Sequence, residues 1–206
     1  MNKESRILLL ESQLRDREFE IAMLKETADA VSGEFDLEKV FQLVADHARK
    51  LILAETVMIP VMDAGGVQYT YRAACGKNAD EIVGQSLSLD LGVCGWVFRH
   101  KRPWWHGVLA ELDEGERNQW EKEAGSVILV PLVGKRQFLG GIAGINKIGA
   151  KDFSQRDLDL LTLFSHQVSH AIENAQLFEQ LAVLPGTSGA DQARAVVPAD
   201  ARARFD

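Results

Sequence analysis

The first thirty residues carry apolar side chains at a seven-residue spacing. The two heptad positions are occupied by Ile7, Leu14, Ile21 and Ala28, and by Leu10, Arg17, Leu24 and Val31. Only Arg17 is polar among them, and most of the intervening side chains are charged. A seam of this period favours packing against a partner helix. We therefore predict a coiled-coil helix over residues 1–33 that pairs in parallel with a second copy; the alternative is an amphipathic helix lying on its own domain.

Beyond residue 33 the apolar spacing predicts a fold of helices and short strands. Helical periodicity predicts a helix over residues 37–53, capped by Asp36, and a long last helix from Ser154 to about residue 181. Runs rich in β-branched residues predict strands at 56–62, 67–75, 86–89, 127–133 and 138–146, with short helices at 96–100 and 113–123. This order predicts an α+β fold, an antiparallel sheet with long terminal helices on one face and short helices and loops on the other.

Composition narrows the class of protein. The chain has 206 residues, of which 46% are hydrophobic and 26% charged, as in ordinary globular domains. A net charge of −7 disfavours nucleic acid as a partner. No apolar run approaches the ~20 residues of a membrane span, and the charged N-terminus does not resemble a signal peptide. Two cysteines suit a reducing compartment. We expect a cytoplasmic protein whose residues 184–206 form a disordered tail or linker.

Several motifs resemble the GAF domain family, the small-molecule-binding module of signalling proteins, common in bacteria. They lie at residues 91–98 with Arg102 and Pro103, at 126–132 with 138–147, and at 153–157 with 170–175. The resemblance implies a GAF-like fold over residues 34–183. It does not name a ligand or cofactor, because members of this family bind cyclic nucleotides, haem, bilins, 2-oxoglutarate, amino acids or nothing.

One motif is similar to the signature of cyclic-nucleotide GAF domains. It consists of Asn146, Lys147, Phe153 and Asp157, although Leu158 stands where that signature has Glu. In that family the Lys–Asp pair holds a loop against the start of a helix. Asp157 in a first helical turn is a favourable place for an anion. We therefore interpret the four residues as a structural clamp, and the alternative is a mark of nucleotide binding.

The resemblance also implies where a ligand would lie, between the sheet and the short helices. The candidate pocket residues are Cys94, Trp96, Val97, Trp104, Trp105, Trp120 and Ser126. Tryptophan faces can stack a planar ligand or hold a cation. The alternative is plain filling of the core by large side chains.

Candidate catalytic and metal-binding residues are few. Cys94 is either a reactive thiol, as in a haem sensor or a GAF-type methionine sulfoxide reductase, or a small buried residue at a helix start. His166 and His170, four residues apart, are either a metal pair or polar residues of a bundle helix. The sequence shows no Ser-His-Asp arrangement and no carboxylate pair in an apolar setting. We therefore assign no catalytic and no metal residue.

Together these patterns predict a non-catalytic sensory or regulatory GAF domain. We expect a homodimer formed through residues 1–31 and 154–181, in which ligand occupancy is transmitted by the helices. The output would be an effector domain or partner protein outside this chain. The alternatives are a cyclic-nucleotide GAF domain, a redox, haem or reductase-like GAF domain that uses Cys94, and a ligand-free dimerisation module.

Overall fold

The computed structural model describes residues 6, 7, 25, 34, 36–105, 118–135 and 137–183. The coiled coil predicted over residues 1–33 lies almost wholly outside the described residues, and the predicted tail at 184–206 lies wholly outside them. Both stay predictions. The first long helix, α1, spans Leu37–Leu51, and Asp36 caps it as predicted by accepting hydrogen bonds from the backbone N–H groups of Glu38 and Lys39.

Five strands form one antiparallel sheet in the order β3-β2-β1-β5-β4. After α1 the described elements are β1 (Ala54–Met62), β2 (Gln68–Gly76), α2 (Ala79–Ile82), β3 (Ser86–Ser88), α3 (Gly92–His100), α4 (Gln119–Lys122), β4 (Val127–Val133), β5 (Phe138–Lys147) and α5 (Gln155–Val183). The α+β architecture predicted from the sequence is therefore confirmed. The short helix α2 was not predicted, and α3 begins at Gly92 rather than at Trp96.

One face of the sheet is covered by the long helices. Apolar side chains of α1 and α5, among them Phe41 and Phe164, pack there against sheet residues such as Val57 and Ile142. Gly144 of β5 permits this approach, because a Cβ atom on it would lie 2.8 Å from Ile52 Cδ1. We call this the helix-face core. It holds the two long helices against the sheet.

The other face is covered by α2, α3, α4 and the segment that contains Trp104. A β-bulge in β2 shapes this face, because Ala73 pairs with Ile59 and Tyr71 with Pro60, which leaves Arg72 unmatched. The bulge brings Tyr69 and Tyr71 to the side where α3 packs. We call this the ligand-face core, after the pocket expected there.

Helix α5 runs on beyond the part of it that packs on the sheet. Its side chains are buried as far as Ala175, whereas Leu177 and Phe178 are 39% and 50% exposed. Among the described helices, α5 included, none is both long enough and apolar enough to cross a membrane. The last described turns of α5 therefore carry large apolar side chains that are partly exposed.

Candidate ligand-binding site

The start of helix α3 is capped by a carboxylate from another helix. The residue before α3, Leu91, has no side chain able to cap it. Instead Glu121 of α4, only 3% exposed, accepts a 2.7 Å hydrogen bond from the backbone N–H of Val93 through Oε1. A carboxylate at a helix N-terminus is stabilised both by such a hydrogen bond and by the helix dipole. Glu121 therefore joins α4 to α3 inside the ligand-face core.

The local sequence explains why Glu121 reaches this place. Asn118 and Glu121 form a capping box, in which Asn118 Oδ1 accepts from the N–H of Glu121 at 3.0 Å. Glu121 Oε2 accepts in return from the N–H of Asn118 at 3.1 Å. Gly92 has a φ of +72°, and a Cβ atom there would lie 2.6 Å from both carboxylate oxygens. The close contact of α4 with α3 thus requires glycine at position 92.

Further buried polar groups continue from Asn118. Its Nδ2 donates to Tyr71 Oη at 3.4 Å, and Tyr71 Oη lies 4.0 Å from Cys94 Sγ. The Tyr69 hydroxyl and Trp104 Nε1 are buried, and neither finds a hydrogen-bond partner among the described residues. Buried polar groups are normally paired, and an unpaired one often marks a water or a ligand.

The electrostatic environment keeps these groups protonated. Burial is the main cause that raises the pKa of the Cys94 thiol and of the Tyr69 and Tyr71 hydroxyls, and the nearby Glu121 carboxylate raises each pKa further. At neutral pH Cys94 is therefore a thiol and both tyrosines are neutral.

Most of the candidate pocket residues gather at this core. Cys94, Val97 and Trp104 are buried within it, and Trp96 and Trp120 pack against it. Trp96 stacks on His100 with ring centroids 4.4 Å apart and meets Trp104 edge-on at 5.0 Å. Trp120 Nε1 donates to Gln85 Oε1 at 3.3 Å. Five of the seven candidate pocket residues thus lie in the ligand-face core or pack against it.

The remaining two candidates lie elsewhere. Trp105 packs against the helix-face core, whereas Trp104 lies in the ligand-face core with α3. The two residues are consecutive, so their side chains point to opposite sides of the segment. Ser126 is buried at the start of β4, where its Oγ accepts from the N–H of Lys147 at 3.0 Å. Its hydroxyl is engaged in joining β4 to the end of β5.

A small cavity opens at the edge of the ligand-face core. It has a volume of about 60 Å³ and is bordered by Ile82, Trp120 and Ile145. A water molecule takes up about 30 Å³ of liquid volume. The cavity therefore has room for a few water molecules.

The predicted clamp residues meet where β5 ends and α5 begins. Lys147 Nζ donates to Asp157 Oδ1 at 2.7 Å and to the carbonyl of Ile52 at 2.9 Å. Asp157 Oδ2 accepts from the backbone N–H and hydroxyl of Ser154 at 2.8 and 2.7 Å. Phe153 is buried beside them in the helix-face core. These bonds tie α1, β5 and α5 together, on the side of the sheet opposite α3.

Asn146, the first residue of that motif, bonds in a different direction. Its Oδ1 accepts from the N–H of Gly125 at 2.8 Å, and its Nδ2 donates to Glu55 Oε2 at 2.8 Å. It adopts a left-handed conformation with φ of 58°, which asparagine tolerates better than most residues. Asn146 thereby secures the segment that leads from α4 into β4.

The structure leaves the histidine pair without a third metal ligand from the described residues. His166 and His170 are exposed on α5, and His170 Nδ1 lies 4.0 Å from Glu173 Oε2. Within the ranges that the structure describes, no three His, Cys, Asp or Glu side chains gather as metal ligands do.

Four residues of the site were missed from the sequence, namely Asn118, Glu121, Tyr69 and Tyr71. The capping-box spacing of Asn118 and Glu121 was a readable helix-start signal. The two-residue spacing of Tyr69 and Tyr71 placed both side chains on one face of a strand. Neither pattern shows by itself that α4 would reach the start of α3.

A comparison with known protein families identifies one match. The sequence profile described as "GAF domain" matches residues 35–173. No curated protein matches the chain. Among solved structures, the GAF domain of an Acinetobacter phosphoenolpyruvate-protein phosphotransferase is similar with a TM-score of 0.67 and 21% identity, over 77% of this chain and 95% of that one.

Two further structures share the fold. Residues 122 to 287 of a methyl-accepting chemotaxis protein match with a TM-score of 0.64 and 20% identity, over 74% of this chain and 98% of that one. A free methionine-R-sulfoxide reductase from Neisseria meningitidis, solved with its substrate, matches at 0.62 and 14% identity, over 76% and 89%. Identities this low show the fold alone. With the family profile covering most of the chain, this protein belongs to the GAF domain family.

Proposed function

We propose that this protein is a sensory or regulatory GAF domain that binds a small molecule at its ligand-face core. The observation that carries the proposal is a pair of buried polar atoms there, Tyr69 Oη and Trp104 Nε1, for which the described part of the chain offers no hydrogen-bond partner. A ligand that bonds to them would remove an energetic penalty that the protein otherwise bears. The chemotaxis protein among the structural relatives supports a sensory role.

We also propose that the domain is not an enzyme. A nucleophilic or redox-active cysteine acts as a thiolate in a partly exposed, electropositive setting. Cys94 is buried beside a carboxylate that, with burial, raises its pKa, and the pKa of the half-buried Cys75 is also raised, mainly by burial. These are the only cysteines of the chain. The thiol chemistry of the reductase relative therefore has no favourable counterpart here.

Thiol titration tests this point. In the native protein at pH 7.5, a disulfide reagent should modify Cys75 slowly, and Cys94 should react at least about 100-fold more slowly still, because it is buried and protonated. Unfolding in guanidinium should release both thiols. The variants Cys75→Ser and Cys94→Ser identify which thiol is measured. Rapid modification of Cys94 in the folded protein would contradict the non-catalytic assignment and return a redox role to consideration.

A line of contacts supports transmission from the ligand face to α5. Phe98 of α3 meets Phe138 at the start of β5 with ring centroids 4.9 Å apart. The neighbouring Gln137 donates to Gln176 of α5 at 3.0 Å. A shift of α3 on ligand binding would thus act on the hairpin turn that touches α5. Two sites linked in this way can be coupled if the linking element has two arrangements.

We further propose that α5 forms part of a homodimer interface. Leu177 and Phe178 of α5 are 39% and 50% exposed. Beside Leu177 lies a groove of about 300 Å³, which is also lined by Lys135, Gln137, His170 and Glu173. Large exposed apolar side chains next to a groove are typical of protein interfaces. A second copy of α5 would cover them.

Two measurements test the proposed function. Native mass spectrometry of the freshly purified protein should show a dimer that carries a discrete small-molecule mass. In sedimentation, Phe178→Glu should raise the dimer dissociation constant at least about 10-fold, because it places a charge in an apolar contact. Val83→Glu, at an apolar residue 46% exposed far along the chain from α5, is the matched control. A wild-type monomer at micromolar concentration would refute the dimer.

A further inference from the structure

We propose that two copies of this chain share one transition-metal ion, bound by His166 and His170 of α5 and by the same two histidines of the second copy. The ion belongs to the class that imidazole nitrogens bind well, such as Zn²⁺. This inference rests on the dimer in the proposed function, because one copy supplies only half of the ligands. It goes beyond that function by assigning a metal site to the interface.

Helix α5 carries a second stripe of side chains on the side that faces away from the sheet. Leu163, His170 and Leu177 follow each other at seven-residue steps, and we call them, with His166, the outer stripe. Leu163 is 54% exposed, Leu177 is 39% exposed, and both histidines are exposed. Two residues along a helix turn the chain by about 200°. The histidines therefore point away from Val168, which is buried in the helix-face core.

A second copy of α5 is the occupant that the outer stripe fits. Apolar side chains at a seven-residue spacing are typical of paired helices. In a parallel pair related by a two-fold axis, every residue of the seam lies opposite its own copy. The stripe shares Leu177 with the interface proposed above, so one contact between copies covers both. This pairing brings four imidazole rings together, two from each copy.

The spacing of the two histidines suits a metal ion. Side chains four residues apart lie on the same side of a helix, one turn apart, and two histidines placed in this way can bind one ion. Each chain supplies two nitrogen ligands, and the described residues add no third ligand to them. Two chains supply four nitrogen ligands, which is the number that Zn²⁺ takes in tetrahedral sites. The site is thus incomplete in one copy and complete in two.

The surroundings of His170 agree with a role as a ligand. Its Nδ1 lies 4.0 Å from Glu173 Oε2, so Nε2, on the other side of the ring, points away from that carboxylate. A carboxylate beside the nitrogen that does not bind the metal commonly orients a histidine ligand. The charged residues described along the groove next to His170 are Lys135 and Glu173, whose charges are opposite. The described part of the groove therefore does not present a net positive charge to a cation.

A zinc titration tests the stoichiometry. Wild-type protein, freed of metal with a chelator and dialysed, should bind one Zn²⁺ per two chains in isothermal titration calorimetry, with a dissociation constant below about 1 µM. His166→Ala and His170→Ala should each weaken this binding at least about 100-fold, because each removes two of the four ligands from the dimer. The matched controls are His100→Ala, at an exposed histidine of α3, and Gln167→Ala, at an exposed neighbour on α5; both should bind zinc as wild type does.

Cobalt reports on the geometry of the site. A tetrahedral Co²⁺ centre absorbs visible light strongly, whereas an octahedral one, ligated largely by water, absorbs weakly. Wild type loaded with Co²⁺ should show the strong bands, and His166→Ala and His170→Ala should lose them. Weak bands in wild type would indicate an adventitious ion only and would overturn the shared site.

Sedimentation with and without zinc separates this site from the proposed function. Zn²⁺ at about 50 µM should lower the dimer dissociation constant of wild type at least about 10-fold relative to buffer with chelator, and should not do so for His170→Ala. A dimer that forms equally well in both buffers, or zinc binding that survives in both histidine variants, would overturn the metal site and leave the proposed sensory dimer intact. A monomer in chelator that dimerises in zinc would support the shared site and contradict a dimer that forms without metal.

Discussion

Replacing Gly140 with alanine is expected to lower the free energy of unfolding by at least about 3 kcal/mol. Gly140 lies in β5 opposite Val61 of β1, with a φ of +146° that L side chains rarely adopt. A Cβ atom would lie 2.2 Å from the carbonyl oxygen of Pro60 and 3.0 Å from Val61 Cα. These are backbone atoms of the central strand, so the clash cannot be relieved by turning a side chain.

Gly149→Ala is the matched control for this prediction. Gly149 also has a positive φ, of +79°, but nothing lies within 4 Å of the place that a Cβ atom would take there. That substitution should cost only about 1 kcal/mol, from backbone strain alone. Urea denaturation followed by circular dichroism at 25 °C measures both. Equal losses for the two variants would show that β1 and β5 do not approach each other as closely as described.

The second large effect is expected at the ion pair of Lys147 and Asp157. Their side chains are 13% and 9% exposed. Asp157→Asn should destabilise the domain by about 3 kcal/mol, because it leaves the Lys147 ammonium in a nearly buried place without its counter-ion. It also weakens the bonds that Ser154 makes at the start of α5. Thermal or urea unfolding at pH 7 measures the loss.

This contribution should depend on pH in a defined direction. Burial by itself raises the pKa of Asp157, but hydrogen bonds from Lys147 and Ser154 outweigh it, so the folded-state pKa is lowered. A lowered pKa stabilises the fold above the unfolded-state value, about 3.9, and that stabilisation is lost as the pH falls through the folded-state value. The difference in unfolding free energy between wild type and Asp157→Asn should therefore be constant from pH 7 to 5 and become smaller below pH 4.

Asp159→Asn controls for the change of side chain on the same helix. Asp159 is exposed and bonds only to Gln155 among the hydrogen bonds described for it, at 2.8 Å. Its replacement should change the unfolding free energy by less than about 0.5 kcal/mol. If the difference in unfolding free energy between wild type and Asp157→Asn did not depend on pH, the lost stability would come from packing and not from the charge.

Most helices and strands of the fold could be predicted from the sequence, because their apolar residues recur at the spacing of a helix or a strand. The strands β4 and β5 carry long apolar runs, and α5 repeats apolar residues at helical steps, so their bounds were predicted to within two residues. The bulge at Arg72 was not readable. Strict alternation along β2 puts Tyr71 and Ala73 on one face, whereas the extra residue sends them to opposite cores.

The candidate site was only partly predictable for a similar reason. Cys94, Val97 and Trp104 follow from a motif that is local in the chain. Glu121 accepts a hydrogen bond from Val93, which lies on a different helix. A local sequence pattern does not predict which two short helices will contact each other. Trp105 was grouped with Trp104, although neighbours in an extended segment point to opposite sides. The chemistry of the site depends on such contacts between elements more than on any single motif.

The pairing of β1 with β5 has a consequence for how the domain folds. Thr56 pairs with Ile145, so the centre of the sheet joins segments from the two ends of the domain. Closing so long a loop is entropically costly, and contacts of this kind slow folding. Until β5 has been synthesised, β1 has an open edge on one side and no neighbour there to cover it. During translation the chain is thus exposed to edge-to-edge association until its last strand emerges from the ribosome.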